Sequence, residues 1–264
     1  MNAVYGEVVR LRATGVALWS AVVALACGGG LTLLLALTGP QNAQPPMPDI
    51  DTPEGVGFVL GIGTVLLFVP ALIGTIAITS EYRHRTIGTT FLVVPRRGRV
   101  LTAKLAVYTV LGIVYGMVAS LSALLALIVA TWMRGVPLGV DVVDLVPALI
   151  QLSLAAAAYM LLGVGIGALA RSPFVAIGVV LGYFLFVEYI LMLVPGVNAI
   201  YPFLPGGATA SLTSFDFLTG AIASQTALTP ATMVSPVLGA AILVAYAVIA
   251  AILAVFVPLR RDLR

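Results

Sequence analysis

The chain has 264 residues, 61% hydrophobic and 9% charged, with a mean hydropathy of +1.15. A soluble domain is about 45–50% apolar and about 25% charged, so the composition argues against a water-soluble globular fold and for a polytopic membrane protein. The net charge of +3 does not suggest a nucleic-acid partner, the single cysteine (Cys27) excludes an internal disulfide, and the single histidine (His84) excludes His-based metal sites and most Ser-His-Asp triads.

Residues 1–14 set Val4, Val8 and Leu11 at i, i+4 and i+7, with Glu7 and Arg10 off that stripe. This pattern predicts a short helix lying in the membrane interface. Arg10 and Arg12 then precede the first apolar run, and ALAC at 24–27 loosely resembles a lipoprotein cleavage site. A cleaved signal has an apolar core of about 7–15 residues. Here the run resumes after Gly28–Gly30 and continues to Leu37, so an uncleaved first span is expected.

Six apolar runs reach the roughly 20 residues a bilayer crossing requires: 15–37, 56–79, 105–131, 146–170, 174–194 and 236–257. Lipid cannot satisfy free backbone N–H or C=O groups, so these runs are expected to be helices; a barrel would show short alternating segments. No fixed-period repeat is visible. The Pro- and acid-rich stretch 39–55 is expected to be irregular. The 195–235 segment is long for a structureless loop, so short helices on or dipping into the membrane face are expected there. SFDFLTGAIA at 214–223 is the predicted helix, with Ser214 as its N-cap.

Charge sets the orientation. With a cytoplasmic N-terminus, twelve of the thirteen Lys and Arg residues fall inside and only Arg134 outside, while Asp49, Asp51, Glu54, Asp141, Asp144 and Asp216 fall outside. The expected fold is an all-α polytopic membrane protein forming one permease domain over 1–264. It has six transmembrane helices, both termini in the cytoplasm, and a cytoplasmic loop 80–104 between spans two and three.

That loop, SEYRHRTIGTTFLVVPRRGRVLTAK, holds Arg83, Arg85, Arg96, Arg97, Arg99 and Lys104. Glu81 and Arg85 stand at i, i+4 and would pair on a helix. Pro95 ends such a helix near Val94. The segment therefore reads as an amphipathic helix over 81–93, a basic turn PRRGR, and the start of the third span. On charge alone it would do no more than set topology.

The order of its residues resembles the loop after the second span of bacterial ABC-2 type ABC transporter permeases. The matching positions are Glu81, Arg83, Thr86, Gly88, Thr89, Thr90, Leu92, Pro95, Arg97, Arg99, Ala103 and Lys104, with Arg85 and Gly88 exchanged relative to the usual order. GEVVRLRATGVALW at 6–19 is similar to the family's opening helix, and YPFLPGGATASL at 201–212 to the segment after its fifth span. The resemblance implies a coupling helix that docks on a separate cytoplasmic ATPase. Glu81, Arg83, Arg85, Thr86, Thr89 and Thr90 would supply polar contacts, and Ile87 with Phe91 an apolar edge. It further implies two copies of that ATPase, which bind ATP and Mg, a second permease half (identical or not), and export across the bacterial plasma membrane. The only lysine, Lys104, follows Ala103, so the chain has no Walker A motif. No catalytic, cofactor or metal residue is therefore expected here, and the chain is expected not to be an enzyme.

Glu188 is the only acid within a span, between Tyr183 and Tyr189. A carboxylate in lipid is costly. It either lines the substrate path, bonds to a neighbouring helix, is protonated, or is solvated near the headgroups. Arg171 is expected to anchor topology, with a second ATPase contact as the alternative. Pro70 is expected to kink the second span. Trp19, Trp132 and Tyr201 are expected to anchor at the interfaces, and Cys27 to be a packed small residue. Four GxxxG pairs, Gly57–Gly61, Gly112–Gly116, Gly163–Gly167 and Gly178–Gly182, allow close helix approach. The substrate is expected to be hydrophobic or amphipathic. The rival expectations are an ion-coupled secondary transporter, disfavoured by the single intramembrane acid and the lack of a repeat, and a non-transporting scaffold or sensor subunit.

Overall fold

The computed structural model describes residues 3–42, 46–83, 97–170, 172–215 and 232–260, with no strand among them. The helices in chain order are α1 (Ala3–Ala13), α2 (Val16–Thr38), α3 (Pro53–Val65), α4 (Phe68–Arg83), α5 (Arg97–Arg134), α6 (Val146–Ala170), α7 (Pro173–Leu193), α8 (Pro205–Thr213) and α9 (Pro236–Arg260). Six units among them are long and apolar enough to cross a membrane: α2, α3 with α4, α5, α6, α7 and α9. The protein is an all-α, six-span polytopic membrane protein.

The second span is two helices because of Pro70. A proline ring clashes with the carbonyl four residues back and offers that carbonyl no N–H. Four back from Pro70 is Leu66, where α3 gives way to a turn held by Leu66 N–H on Gly63 O and Leu67 N–H on Thr64 O. The start of α3 has its own cause. The Thr52 side chain accepts from the Gly55 N–H at 3.2 Å and Pro53 occupies the first helical position.

The centre of the bundle is α6. Of its apolar window 72% is buried, against 17% for α2. Its buried run Ala155–Ala158 is small, so α4, α5 and α9 all approach it closely. The GxxxG pairs divide by what they meet. Gly112 and Gly116 of α5 lie on Ala157 and Ser153 of α6, and Gly163 and Gly167 of α6 lie on Ala71 and Thr75 of α4. Gly61 lies under the Phe215 ring, whereas Gly57, Gly178 and Gly182 face open space. Large apolar side chains point outward, as they should in hydrocarbon: Trp132 is 83% exposed and Phe174 81%. Trp19 is exposed as well, but Tyr201 is buried, so it is not an interfacial anchor as expected.

In the segment after α7, a 3-10 turn (Asn198–Phe203) leads into α8, whose residues Gly207 to Leu212 are all buried against α9, α6 and α3. Ser214 ends this helix in the left-handed conformation, at φ 54°. It is the C-terminal cap of α8, and the helix expected to begin at it lies outside the described residues. The stretch 216–223 lies outside the described residues, as do Arg171 and positions 84–96 of the basic loop.

The bundle is held by charge at both ends. Lys104 and Arg134 both lie on α5, thirty residues apart. At 1.5 Å per residue that is about 45 Å, the thickness of a bilayer with its headgroups. At the Arg134 end the guanidinium grips Asp49 with two bonds of 2.7 and 2.6 Å and donates to the Ala36 carbonyl at 3.0 Å. This fastens the loop after α2 to the end of α5. Among its causes the Arg134 hydrogen bonds come first, and they hold the Asp49 carboxyl below its ordinary range.

Two predictions follow from these contacts. A Cβ on Gly163 would stand 1.8 Å from the Ala71 carbonyl oxygen, so Gly163→Ala must displace backbone and should cost about 1–3 kcal/mol. Gly178→Ala, with nothing near it, should be neutral or slightly stabilising; melting temperatures of the purified variants in detergent compare them. The Asp49 bridge contributes its full stability above the usual carboxylate pKa of about 4. The stability gap between wild type and Asp49→Asn should persist down to that pH and close below it, in melting curves taken at stepped pH.

Candidate functional site

At the end of the bundle that carries α1, three separated stretches of sequence meet in one ionic cluster. The chain's only lysine, Lys104 on the first turns of α5, is 2% exposed. Its Nζ donates to Glu7 Oε2 of α1 at 2.8 Å and to Glu81 Oε1 of α4 at 2.6 Å. Arg10 donates to the same Glu81 oxygen and lies 3.6 Å from Glu7. Two acids and two bases balance. The Tyr108 ring, one turn along α5, sits 5.5 Å from the ammonium.

The local sequence explains how each group arrives there. Glu7 and Arg10 are three apart on α1 and share one helix side, and Glu7 is the buried residue of that helix. The other side of α1 is apolar and outward: Val4, Tyr5 and Val9 are exposed. Arg12 is exposed on that same side, so the outward face of α1 is apolar with one cation, a pattern suited to a lipid interface. Glu81 leaves the last turn of α4 directly into the cluster and is buried.

This placement bears on the residues expected to contact an ATPase. Glu81 does not stand free: its carboxylate is engaged by Arg10 and Lys104. Arg83, two residues further, is exposed. Arg85, Thr86, Ile87, Thr89, Thr90 and Phe91 lie outside the described residues, and with them the expected Glu81–Arg85 pair.

A second buried polar site lies in the bundle, at Glu188. Between Tyr183 and Val187 the helix α7 widens into a π turn, and Glu188 follows it, 4% exposed. The carboxylate accepts from the Gly206 N–H at 2.5 Å and from the Gly207 N–H. These are free donors at the first turn of α8, where Pro205 has no N–H to offer. Gly207 is required by closeness, since a Cβ there would meet the Tyr201 carbonyl oxygen at 1.9 Å, whereas one on Gly206 would meet the end of the Glu188 side chain at 2.8 Å. Around Glu188 a pocket of about 40 Å³ is walled by Tyr159, Phe184, Tyr189, Tyr201, Thr209 and Thr64, among others. Tyr189 belongs to this wall, while Tyr183 sets its ring edge-on to Phe184 at 5.1 Å. Tyr159, Tyr201, Gly206 and Gly207 escaped sequence reasoning. The signal that points to them is the Pro-Gly-Gly run at 205–207, a helix start with bare backbone donors.

A large cavity of about 650 Å³ lies between α2, α3, α5 and α6. It runs from Pro48, Pro53 and Glu54 near the Arg134 end to Cys27, Tyr115 and Ala156 within the bundle. Cys27 therefore lines a cavity rather than filling a packed gap. Among the described residues no group of three or more His, Cys, Asp or Glu could hold a metal ion.

The described fold is six membrane-crossing helices with a buried ionic cluster at the end that carries α1. Residues 4–188 match the model of the ABC-2 family transporter proteins, and the chain belongs to that family, a non-catalytic permease component. The match begins at α1 and ends at Glu188. No protein with a curated description matches the chain.

The cluster makes a prediction of its own. Removing one partner from a buried ion pair costs about 3–5 kcal/mol, so Lys104→Met should lower the melting temperature of the purified protein sharply. Adding Glu81→Gln removes the surplus negative charge, and the double variant should be more stable than Lys104→Met alone. A double variant as unstable as the sum of its parts would mean the charges are not coupled. Exposed Arg83→Ala should leave stability within about 0.5 kcal/mol.

Proposed function

We propose that the chain is the transmembrane half of an ATP-driven exporter of the bacterial plasma membrane. It pairs with a second permease half, identical or not, and with two copies of a cytoplasmic ATPase that bind ATP and Mg. The end of the bundle that carries α1 faces the cytoplasm, in keeping with the twelve-to-one bias of Lys and Arg. The segment 81–93, with Arg83, Arg85, Thr86, Ile87, Thr89, Thr90 and Phe91, is the coupling element that meets the ATPase.

The observation that carries this reading is the Glu7–Arg10–Glu81–Lys104 cluster at the root of that segment. A lever works only if its base is stiff. The segment leaves α4 two residues after Glu81 and returns at the start of α5, two turns before Lys104, and the cluster ties both helices to α1. A push delivered to the segment would therefore move α1, the second span and the third span together, with little lost in bending. Glu81 acts within the base of the lever rather than on the ATPase face. The break at Leu66–Leu67 lies one half-span further along and is the natural place for α4 to turn against α3. Such motion would open and close the large cavity, which lies between α3 and its neighbours and suits a hydrophobic or amphipathic substrate.

The test is co-purification from the native membrane in mild detergent. An ATPase with Walker motifs should come with the wild-type chain. Reversal of two loop charges, Arg83→Glu with Arg85→Glu, should weaken that association by roughly tenfold while leaving the melting temperature of the permease unchanged. Wild-type chain free of any ATPase would overturn the proposal.

A further inference from the structure

The large cavity and the Glu188 pocket adjoin, since Thr64 and Phe215 line both. Phe215 rests on Gly61, where a Cβ would meet its ring at 1.8 Å.

The carboxylate does more than the fold requires. Capping α8 takes an acceptor for two N–H groups, which a neutral amide oxygen would supply. A carboxylate offers about four acceptor positions, of which Gly206 and Gly207 take two, and it brings a charge. None of the ion pairs among the described residues includes Glu188. A cationic ligand would supply the counter-charge that an ionised carboxylate lacks here, since an uncompensated charge in lipid is costly. The surrounding wall is aromatic, with Tyr159, Phe184, Tyr189 and Tyr201 facing the same small space. Aromatic faces attract ammonium groups, most strongly when these are desolvated. At about 40 Å³ the pocket exceeds the roughly 10–15 Å³ that one water needs and suits a small headgroup. The neighbouring cavity, at about 650 Å³, falls in the roughly 300–1,000 Å³ range of small-molecule sites.

We propose that the two spaces form one site for a cationic amphiphile: the cavity takes the apolar body, and Glu188 with its aromatic wall takes a protonated amine or quaternary ammonium. This names a substrate class for the exporter proposed above and rests on that reading only in treating the ligand as cargo.

The test uses the full chain in phosphatidylcholine nanodiscs, with radiolabelled dodecyltrimethylammonium as probe and empty discs subtracted. Dodecanol serves as the neutral comparison of equal chain length. Saturable binding of the cation is expected, tighter than that of dodecanol by roughly tenfold or more. Glu188→Gln keeps an acceptor for α8 and should erase that preference. Gly57 lines the cavity with nothing near its Cβ position, so Gly57→Trp should fill the space and weaken both probes. No saturable binding to the wild type, equal binding of cation and alcohol, or a preference that survives in Glu188→Gln would each overturn the proposal. If Glu188→Gln does not fold, the wild-type preference and Gly57→Trp decide. The readout needs no ATPase. Binding without an ATPase partner would sink the exporter reading alone, and an ATPase partner without binding would sink only the amine site.

Discussion

Lys104 has nowhere to put its charge except on Glu7 and Glu81. In water an ammonium group is solvated from every side. At 2% exposure, on a helix about to enter hydrocarbon, it must find its counter-charges in the protein or not be there at all. That demand draws α1 onto α5 and holds the end of α4 beside both. At the far end of α5 the same demand, made by Arg134, draws in the loop that carries Asp49. The third span is therefore a strut with an ionic fastening at each end. Between the fastenings, packing is set by small residues, with α6 close enough to three neighbours that a single methyl group at Gly163 would touch backbone.

The six spans were legible because a bilayer imposes length and hydropathy so strictly that few other readings survive. The pairing of charges was less so. Glu81 bonds to residues 71 positions before it and 23 after it, partners that no local spacing rule points to, while Arg85, four residues on, lies outside the described residues. Local spacing shows what an isolated helix would do; the interior rewards whichever partner can be reached without water. The sequence did contain the two stretches that meet, 6–19 and 80–104 with its closing Ala-Lys, but as separate resemblances without a geometry to join them.

Glu188 was picked out for a sound reason, the cost of a carboxylate in lipid, while its partners stayed hidden because they are backbone. An N–H group has no letter in a sequence. The helix that offers it, PGGATASLT, is small, weakly apolar and rich in glycine, and so resembles a loop until its burial is seen. The same burial moved Tyr201 from an expected membrane belt into the wall around Glu188. Ser214 reads well as the beginning of a helix and stands at the end of one, since its left-handed backbone closes α8 where a glycine would be usual.

The π turn at Tyr183–Val187 has a consequence for how such a site can arise or disappear. A widened turn of this kind accommodates one residue more than α geometry would, and each residue of an α-helix advances the azimuth by about 100°. Loss of a single codon within that turn would let α7 close to a regular helix with Glu188 in nearly its present phase, whereas a codon lost from the regular helix before the turn would rotate Glu188 by about 100° away from α8 and leave two backbone donors without an acceptor. The position of the one acid in the membrane is therefore a matter of phase, and insertion or deletion rather than substitution is the mutational step to which it is most sensitive.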